Sequence, residues 1–287
     1  KIMADTKNIK SVFDLWQFEQ SFEEVSVLRL QKIKQQTENY KQFMKDFLEI
    51  FSSIDFSWEY SNNTSKDLVF VISTDNCIYW NSNVRLFKKL KEEYKNKKDS
   101  LDVYCIWQDS LQFFLNEWFN VIWYTNLPEE FAEQDFSEIY QYIENSISDN
   151  LYSNIKVCFN HFKNSLIRIP ANFTLLPFDQ KSLDSFAQNM NFDLKSLKKT
   201  SSDFMVWSNL QELKAEMIKQ LLWYMLYGAA LQNKIWELSS NILLMKTIKN
   251  NNKDTVRWFV SSFNKIRQNL LTKNVSRIVS LKMFAES

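Results

Sequence analysis

Glycine and proline are almost absent from this chain of 287 residues, which has a single Gly (Gly228) and three Pro (Pro128, Pro170 and Pro177). Glycine-rich phosphate-binding loops need several glycines close together, so that the chain can turn tightly and its N–H groups can approach a phosphate. The sequence therefore excludes a Walker A loop and a dinucleotide-binding GxGxxG fingerprint. The same scarcity suits long helices without interruption.

Histidine and cysteine are also scarce. The three cysteines (Cys77, Cys105 and Cys158) are far apart, odd in number and form no CxxC motif, which predicts a reduced compartment rather than a disulfide scaffold. His161 is the single histidine, so any Ser-His-Asp or Cys-His site would have to use it. Its closeness to Cys158 is better explained by packing, and zinc-ligand spacing is missing. We predict no catalytic residue, no metal and no cofactor.

No excess of either charge and no long hydrophobic run is present. The chain has 35 Lys and Arg against 34 Asp and Glu, which argues against a nucleic-acid partner. The most apolar window, residues 221–231, is far shorter than the ~18 residues that suggest a membrane span. The first residues lack the apolar core of a signal peptide. These features predict a cytoplasmic protein.

Helical periodicity marks both ends of the chain. Apolar residues recur every three or four positions over residues 9–51 and 204–284, with a charged opposite face. Asp203 is a plausible N-cap for the second region, and the polar run from Lys249 to Asp254 is expected to interrupt it. Two long helices with apolar stripes bury them best against each other. The predicted seam of this antiparallel coiled coil contains Val12, Phe18, Phe22, Val25, Phe259, Phe263, Ile266 and Leu270.

Strand patterning is confined to the middle of the chain. Short apolar runs rich in β-branched residues predict strands at 68–72, 101–107 and 120–125, and one more within 155–169. Helical patterns between them cover 83–97, 110–118 and 136–148, whereas 176–202 is expected to be irregular. Alternation of this kind predicts an α/β fold with a small, Rossmann-like insert. The expected domains are an N-terminal helix (1–60), the insert (66–180) and a C-terminal helix (203–287).

Three tryptophans of the insert could line a ligand groove, namely Trp107, Trp118 and Trp123. Packing in the core at the strand edges is the simpler interpretation, because large aromatic side chains dominate protein cores. We expect packing for these residues.

Several motifs, in order along the whole chain, carry a resemblance to a known family. They are Ile9-Lys10-Ser11-Val12, Val71 to Asp75 followed by Asn81-Ser82-Asn83-Val84, Ile169-Pro170 with Leu175-Leu176-Pro177, and Asn264 to Thr272 followed by Ile278-Val279. Together they resemble the gamma subunit, the central rotor shaft, of F-type and F1-like rotary ATPases. The glycine-free turn after Asp75, Asn274, Arg277 and the bulkier C-terminus depart from the family pattern, like the divergent versions of wall-less bacteria.

The resemblance implies a non-catalytic shaft that couples rotation to ATP hydrolysis or synthesis in an alpha3beta3 hexamer. It also implies an epsilon-like subunit and a membrane ring or other membrane partner as further partners, and a position on the inner face of the cell membrane. The departures from the family pattern suggest a version specialised for a role other than ATP synthesis, such as gliding motility. Arg267, Gln268 and Thr272 would form a hydrogen-bonding catch on the hexamer, although a solvated helix face is the alternative. Val279, Leu281, Met283 and Phe284 would form the shaft tip, the alternative being a frayed end. A coiled-coil adaptor with an α/β protein-binding head is the competing hypothesis for the whole chain.

Overall fold

The computed structural model of the protein describes residues 2–52, 64–74, 83–164, 168–190, 192 and 210–285. Near both chain ends it describes the backbone of the helices and only some of their side chains. The chain divides into two compact units, one formed by residues 1–27 with 242–287 and one by residues 28–241.

Two long helices begin and end the chain, as predicted. The first, α1, spans Ile2–Ser52, and the last, α6, spans Leu210–Ala285. The predicted interruption from Lys249 to Asp254 was wrong, because α6 continues through it. Asparagine and lysine at exposed helix positions cost only a few tenths of a kcal/mol each, and no proline is present to block the helix. Asp203, the expected N-cap, lies outside the described residues.

Between the long helices the elements are β1 (Asp67–Ile72), α2 (Val84–Glu93), β2 (Leu101–Ile106), α3 (Gln108–Asn116), β3 (Asn120–Thr125), α4 (Ser137–Ser148), β4 (Asn154–Phe162), β5 (Arg168–Leu176) and α5 (Gln180–Met190). The strands predicted at 68–72, 101–107 and 120–125 and the three predicted helices are confirmed. The strands form a five-stranded mixed sheet at the centre of the larger unit, with strand order β3-β2-β1-β4-β5. Neighbouring strands are parallel except β4 and β5, which are antiparallel.

The end of the insert differs from the prediction in two places. The strand predicted within 155–169 is present as β4, but it ends at Phe162, and the antiparallel partner β5 was not predicted as a separate strand. The region expected to be irregular contains α5. Its start is fixed by Asp179, whose carboxylate accepts hydrogen bonds from the Ser182 N–H at 2.8 Å and the Ser182 hydroxyl at 2.7 Å. Side-chain capping of this kind satisfies helix N–H groups that have no partner within the helix.

Helices cover both faces of the sheet. Because side chains alternate along a strand, the odd and even positions of β1 and β2 enter different cores. Val69, Val71 and Val103 pack with α2 and α3 in one core, whereas Phe70 and Tyr104 belong to the other. The second core also contains residues of α1, α4, α5 and α6. Both long helices therefore contribute side chains to the hydrophobic core of the larger unit.

Candidate functional site

A buried, polar stretch of α6 is the feature that the sequence patterns did not indicate. All residues from 232 to 241 are buried, although helices that are buried all round are usually apolar. Burying a polar group costs free energy unless it forms hydrogen bonds, so this stretch depends on specific partners. Its polar members are Gln232, Asn233, Lys234, Glu237, Ser239, Ser240 and Asn241.

Asn233 joins this stretch to the carboxyl end of the sheet. Its side-chain Nδ2 donates a hydrogen bond to the carbonyl oxygen of Ser73, the first residue after β1. The Ser73 hydroxyl donates to the Ile106 carbonyl at the end of β2 (3.1 Å) and accepts from the Ser110 N–H of α3 (3.1 Å). Ser73 therefore ties together the ends of two strands, the start of one helix and the side of α6.

Asn83 organises the same edge of the sheet from the start of α2. Its Nδ2 donates to Thr74 Oγ1 and to Asp109 Oδ2, both at 2.9 Å. Its Oδ1 accepts a hydrogen bond from Asn160 Nδ2 of β4 at 3.1 Å. The side chain is 3% exposed, so these bonds are shielded from water. The second Asn of the Asn-Ser-Asn motif therefore connects three elements of the unit.

Trp107 stands at the end of β2 in a backbone conformation that side chains rarely adopt. Its φ of 69° and ψ of 157° lie in a region occupied almost only by glycine, at a cost of order 1–3 kcal/mol. The surroundings hold it there, because its Nε1 donates to the Leu127 carbonyl at 3.1 Å and its N–H donates to the Thr125 carbonyl at 3.0 Å. Backbone strain of this kind is found preferentially where a conformation serves a function.

A buried ion pair of α6 faces this tryptophan. Lys234 Nζ lies 2.8 Å from Glu237 Oε1, and both side chains are 2% exposed. The same ammonium lies 5.8 Å from the centre of a Trp107 ring, within the range of a cation–π interaction. Charges so deeply buried are tolerated only when paired. The strained strand end and the charged side of α6 thus form one contact.

The expectation of core packing holds for Trp107, which is 1% exposed, but it was wrong for the other two tryptophans. Trp118 is 88% exposed and Trp123 is 50% exposed. Trp118 follows α3 in a turn, and β3 is the edge strand of the sheet, so no second layer covers either residue in the part of the chain that the structure describes. Trp123 Nε1 donates instead to Glu138 Oε1 at 3.1 Å.

The cysteine and histidine side chains of β2 and β4 lie in environments that favour their uncharged forms. Burial raises the pKa of Cys105 and of Cys158 to about 12, so both thiols are protonated and unreactive near neutral pH. Burial lowers the pKa of His161, which keeps that imidazole neutral. Among the residues that the structure describes, no group of His, Cys, Asp and Glu side chains could hold a metal ion. None of the described helices is long and apolar enough to cross a membrane.

The two long helices contact each other within each unit. In the larger unit, the Tyr40 hydroxyl of α1 donates to the Tyr224 carbonyl of α6 at 2.9 Å. In the smaller unit, Lys249 Nζ of α6 lies 3.1 Å from Glu23 Oε2 of α1. Glu23 is 16% exposed, which shields the pair partly from solvent. These are direct contacts between the start and the end of the chain.

The residues of the predicted catch lie on α6, in the smaller unit. Gln268 and Thr272 are exposed, and the Thr272 hydroxyl donates to the Gln268 carbonyl at 2.9 Å. The side chain of Arg267 lies outside the described part of the chain, as do those of the predicted tip, Val279, Leu281, Met283 and Phe284. The catch and the tip stay predictions.

The predicted seam is described at two of its positions. Phe22 is half-buried and Val25 is 45% exposed. The other seam side chains lie outside what the structure describes, namely Val12, Phe18, Phe259, Phe263, Ile266 and Leu270. The seam therefore stays a prediction as well.

Comparison with known proteins assigns the chain to a family. A family model described as ATP synthase matches residues 4–280. The ATP synthase gamma chains of Buchnera aphidicola subsp. Melaphis rhois and of subsp. Baizongia pistaciae (strain Bp) are each 26% identical over 95% of this chain and 94% of their own length. A rotor chain of Euglena gracilis mitochondrial ATP synthase, 12% identical, has the same fold with a TM-score of 0.59 over 94% of this chain and 98% of its own. The chain belongs to the ATP synthase family, among its gamma subunits.

Proposed function

We propose that this gamma subunit is the central rotor shaft of an F-type ATPase and couples its own rotation to ATP hydrolysis or synthesis in an alpha3beta3 hexamer. The observation that carries the proposal is the family match from residue 4 to residue 280, which includes the sheet and nearly all of both long helices. A gamma subunit is not catalytic, and its work is to transmit torque.

Rotation of an asymmetric shaft changes what each of three chemically equivalent hexamer subunits touches. Shaft angle and nucleotide affinity are then linked by a coupling free energy. We infer that α1 and α6 form an antiparallel coiled coil that supplies the stiffness for this coupling. The Tyr40–Tyr224 and Glu23–Lys249 contacts support that inference, because each joins the two helices directly.

Asn233 and Lys234 of α6 contact the ends of β1 and β2, and we call this contact the joint. Torque would pass through the joint between the long helix and the sheet. Asn233 bonds to the end of β1, and Lys234 faces the strained Trp107. A buried hydrogen bond is directional, so a rotation of α6 against the sheet would break the bond from Asn233 and move Lys234 away from the Trp107 ring. A purely apolar contact would resist such a rotation less. The joint would therefore resist rotation of α6 against the sheet when torque is applied.

We propose Arg267, Gln268 and Thr272 as the catch on one nucleotide-binding subunit. Residues 268 and 272 are one helical turn apart and share a face, and both are exposed. Arginine suits such a contact because its rigid donor fork binds carboxylates and carbonyls in a defined geometry. Val279, Leu281, Met283 and Phe284 would then form the tip that turns inside an apolar sleeve.

The remaining partners follow from the proteins to which the chain is similar. A chain described as central stalk and c-ring of Tetrahymena thermophila mitochondrial ATP synthase shares the fold, with a TM-score of 0.59 at 14% identity. By analogy, the head would meet a membrane ring and an epsilon-like subunit at the inner face of the cell membrane. A specialisation for gliding motility stays a prediction without support, since the two Buchnera relatives are named ATP synthase gamma chains.

Co-expression with the nucleotide-binding subunits of the same cell tests the proposal. We expect one copy of this chain to co-purify with six partner subunits and to stimulate ATP hydrolysis. Arg267→Ala should lower the hydrolysis rate about tenfold, which corresponds to a loss of ~1.4 kcal/mol. Arg85→Ala, which removes an exposed arginine of α2, is the matched control and should leave the rate unchanged.

A free chain or a homodimer that leaves the ATPase rate unchanged would reject the rotor and favour the coiled-coil adaptor. Equal effects of Arg267→Ala and Arg85→Ala would keep the shaft but remove Arg267 from the catch. Native mass and activity therefore test separate parts of the proposal.

A further inference from the structure

The carboxyl ends of β1 and β4 form the topological switch point of the sheet. From β1 the chain runs outward through β2 to β3, with α2 and α3 on one face, and then returns to the other side of β1 through α4 on the opposite face. In open α/β sheets this point opens a crevice in which ligands bind. Here Asn233 of α6 approaches it and donates to the carbonyl of Ser73.

Two amide oxygens at this place have no hydrogen-bond donor among the described residues. Asn160 Oδ1 of β4 and Asn233 Oδ1 of α6 accept no bond from the part of the chain that the structure describes, and both side chains are 0% exposed. The orientation of each amide is fixed by a hydrogen bond from its Nδ2. Asn160 Nδ2 donates to Asn83 Oδ1, and Asn233 Nδ2 donates to the Ser73 carbonyl. Turning either amide would set two acceptors against each other.

Leaving such oxygens unsatisfied is costly, since buried polar atoms without a partner are rare in folded proteins. The neighbouring polar side chains donate their hydrogen bonds to other acceptors. Asn83 Nδ2 donates to Thr74 and Asp109, and the hydroxyl of Ser73 donates to the Ile106 carbonyl. The missing donors must therefore come from outside these side chains.

We propose that buried water molecules occupy the switch point and donate hydrogen bonds to Asn160 Oδ1 and Asn233 Oδ1. Water suits the site because it is small and fits where several polar atoms converge in a buried place. A cation suits it less, because the Ser73 carbonyl and Asn83 Oδ1 already accept hydrogen bonds and are poorly placed to complete an oxygen shell. The crevice that holds a ligand in other sheets of this layout is thereby closed by the chain's own helix and by solvent.

Bound water at the switch point would hold α6 on the sheet whether or not the protein is a rotor. Water completes the hydrogen bonds between α6 and the strand ends, so the angular position of the helix on the sheet is set by polar contacts throughout this edge. Loss of either amide should therefore release bound water and loosen the helix at the same time.

Magnetic relaxation dispersion of the water oxygen nucleus measures the number of long-lived bound water molecules in the whole chain. Wild type is compared with Asn160→Leu, Asn233→Leu and the double variant, in which leucine keeps the volume and removes the polar atoms. We expect each single variant to lose at least one long-lived water. Asn189→Leu is the matched control, because the Asn189 amide donates to the carbonyl of Asn172 in β5 (3.3 Å) and not to the strand ends of the switch point. This variant should lose no long-lived water.

A crystal structure of the wild-type chain decides the question if the leucine variants do not fold. Water density within about 3.2 Å of each amide oxygen is the expected result. The proposal is overturned if both oxygens accept bonds from protein donors, if the water count does not change in the variants, or if soaked rubidium gives an anomalous signal that identifies a monovalent cation there.

Discussion

The ring of Tyr40 occupies the space that any side chain at Gly228 would need. A Cβ atom added to Gly228 would lie 2.6 Å from Tyr40 Cζ and 2.9 Å from Cε1, and closer still to the hydroxyl oxygen. Carbon atoms in contact are normally at least about 3.5 Å apart. The single glycine of the chain therefore stands where α1 and α6 approach closely, and the Tyr40 ring is held there by the hydrogen bond from its hydroxyl to the Tyr224 carbonyl.

Gly228→Ala should destabilise the protein. The exchange normally stabilises a helix interior by ~0.5–1 kcal/mol, but here the methyl group would push Tyr40 out of its place and we expect a net loss of about 1–3 kcal/mol. Urea unfolding followed by circular dichroism measures it. In a Tyr40→Ala background the same exchange should become neutral or stabilising, since the ring is gone. A gain in stability in the wild-type background would show that the two helices separate easily.

Breaking the buried Lys234–Glu237 pair should cost far more than removing both charges. Lys234→Met removes the ammonium that pairs with the buried Glu237 carboxylate, and we expect a loss of about 3–5 kcal/mol. The double variant Lys234→Met, Glu237→Leu should lose much less than the sum of the single variants. A double-mutant cycle of unfolding free energies gives the coupling.

The exposed pair of Lys41 and Glu38 is the control for this cycle, because it has the same spacing of three residues on a helix. Its partners lie 3.4 Å apart, and its side chains are 37% and 72% exposed. We expect a coupling of at most ~0.5 kcal/mol there. Equal couplings for the two pairs would mean that the buried pair is reached by water.

Reversing one charge of the Glu23–Lys249 pair should weaken the pairing of α1 and α6 in the smaller unit. Glu23→Lys places two cations side by side, and the combination with Lys249→Glu restores the attraction. Since Lys249 is 37% exposed, we expect an effect of no more than ~1 kcal/mol that shrinks with added salt.

The melting temperature at low and high salt measures this effect. Glu24→Lys is the control, because Glu24 is exposed and accepts a bond from Gln20 of its own helix. A double reversal that is no better than the single one would show that the two charges do not meet, and would count against the antiparallel pairing.

Stability should fall at alkaline pH because buried tyrosines resist ionisation. Burial raises the pKa of Tyr104 and of Tyr227 to about 12, and burial with the charge of Tyr227 raises the pKa of Tyr40 well above its usual 10.0. The unfolded chain loses these protons near pH 10.0 and the folded chain does not. The stabilising contribution is therefore complete below pH 10.0 and is lost as the pH rises above it.

The ultraviolet absorbance of tyrosinate follows this titration. In native protein a fraction of the tyrosines should ionise only together with unfolding, whereas in urea all should titrate near pH 10. Tyr104→Phe should reduce the delayed fraction and make the decline in stability with pH less steep. A native titration that coincides with the one in urea would contradict the burial of these rings.

The parts of the fold that depend on local periodicity could be predicted. Apolar residues at helical spacing without proline predict α1 and α6, and runs such as 68–72 and 120–125 predict strands, because both patterns reflect which face is buried. Ordered motifs from Ile9 to Val279 also indicated the family, which the comparisons confirm. The hairpin of β4 and β5 was missed, because an antiparallel return depends on a turn rather than on periodicity.

The sequence by itself determined two long helices, an α/β centre and membership of the gamma-subunit family, since these depend on order and spacing along the chain. The tertiary structure alone decided that residues 232–241 are buried with their polar groups, that Trp107 is strained and that Gly228 faces Tyr40. Polar side chains on a helix normally face water, and nothing local distinguishes those that do not. Their burial depends on strand ends more than a hundred residues away, so it becomes visible only when the chain has folded.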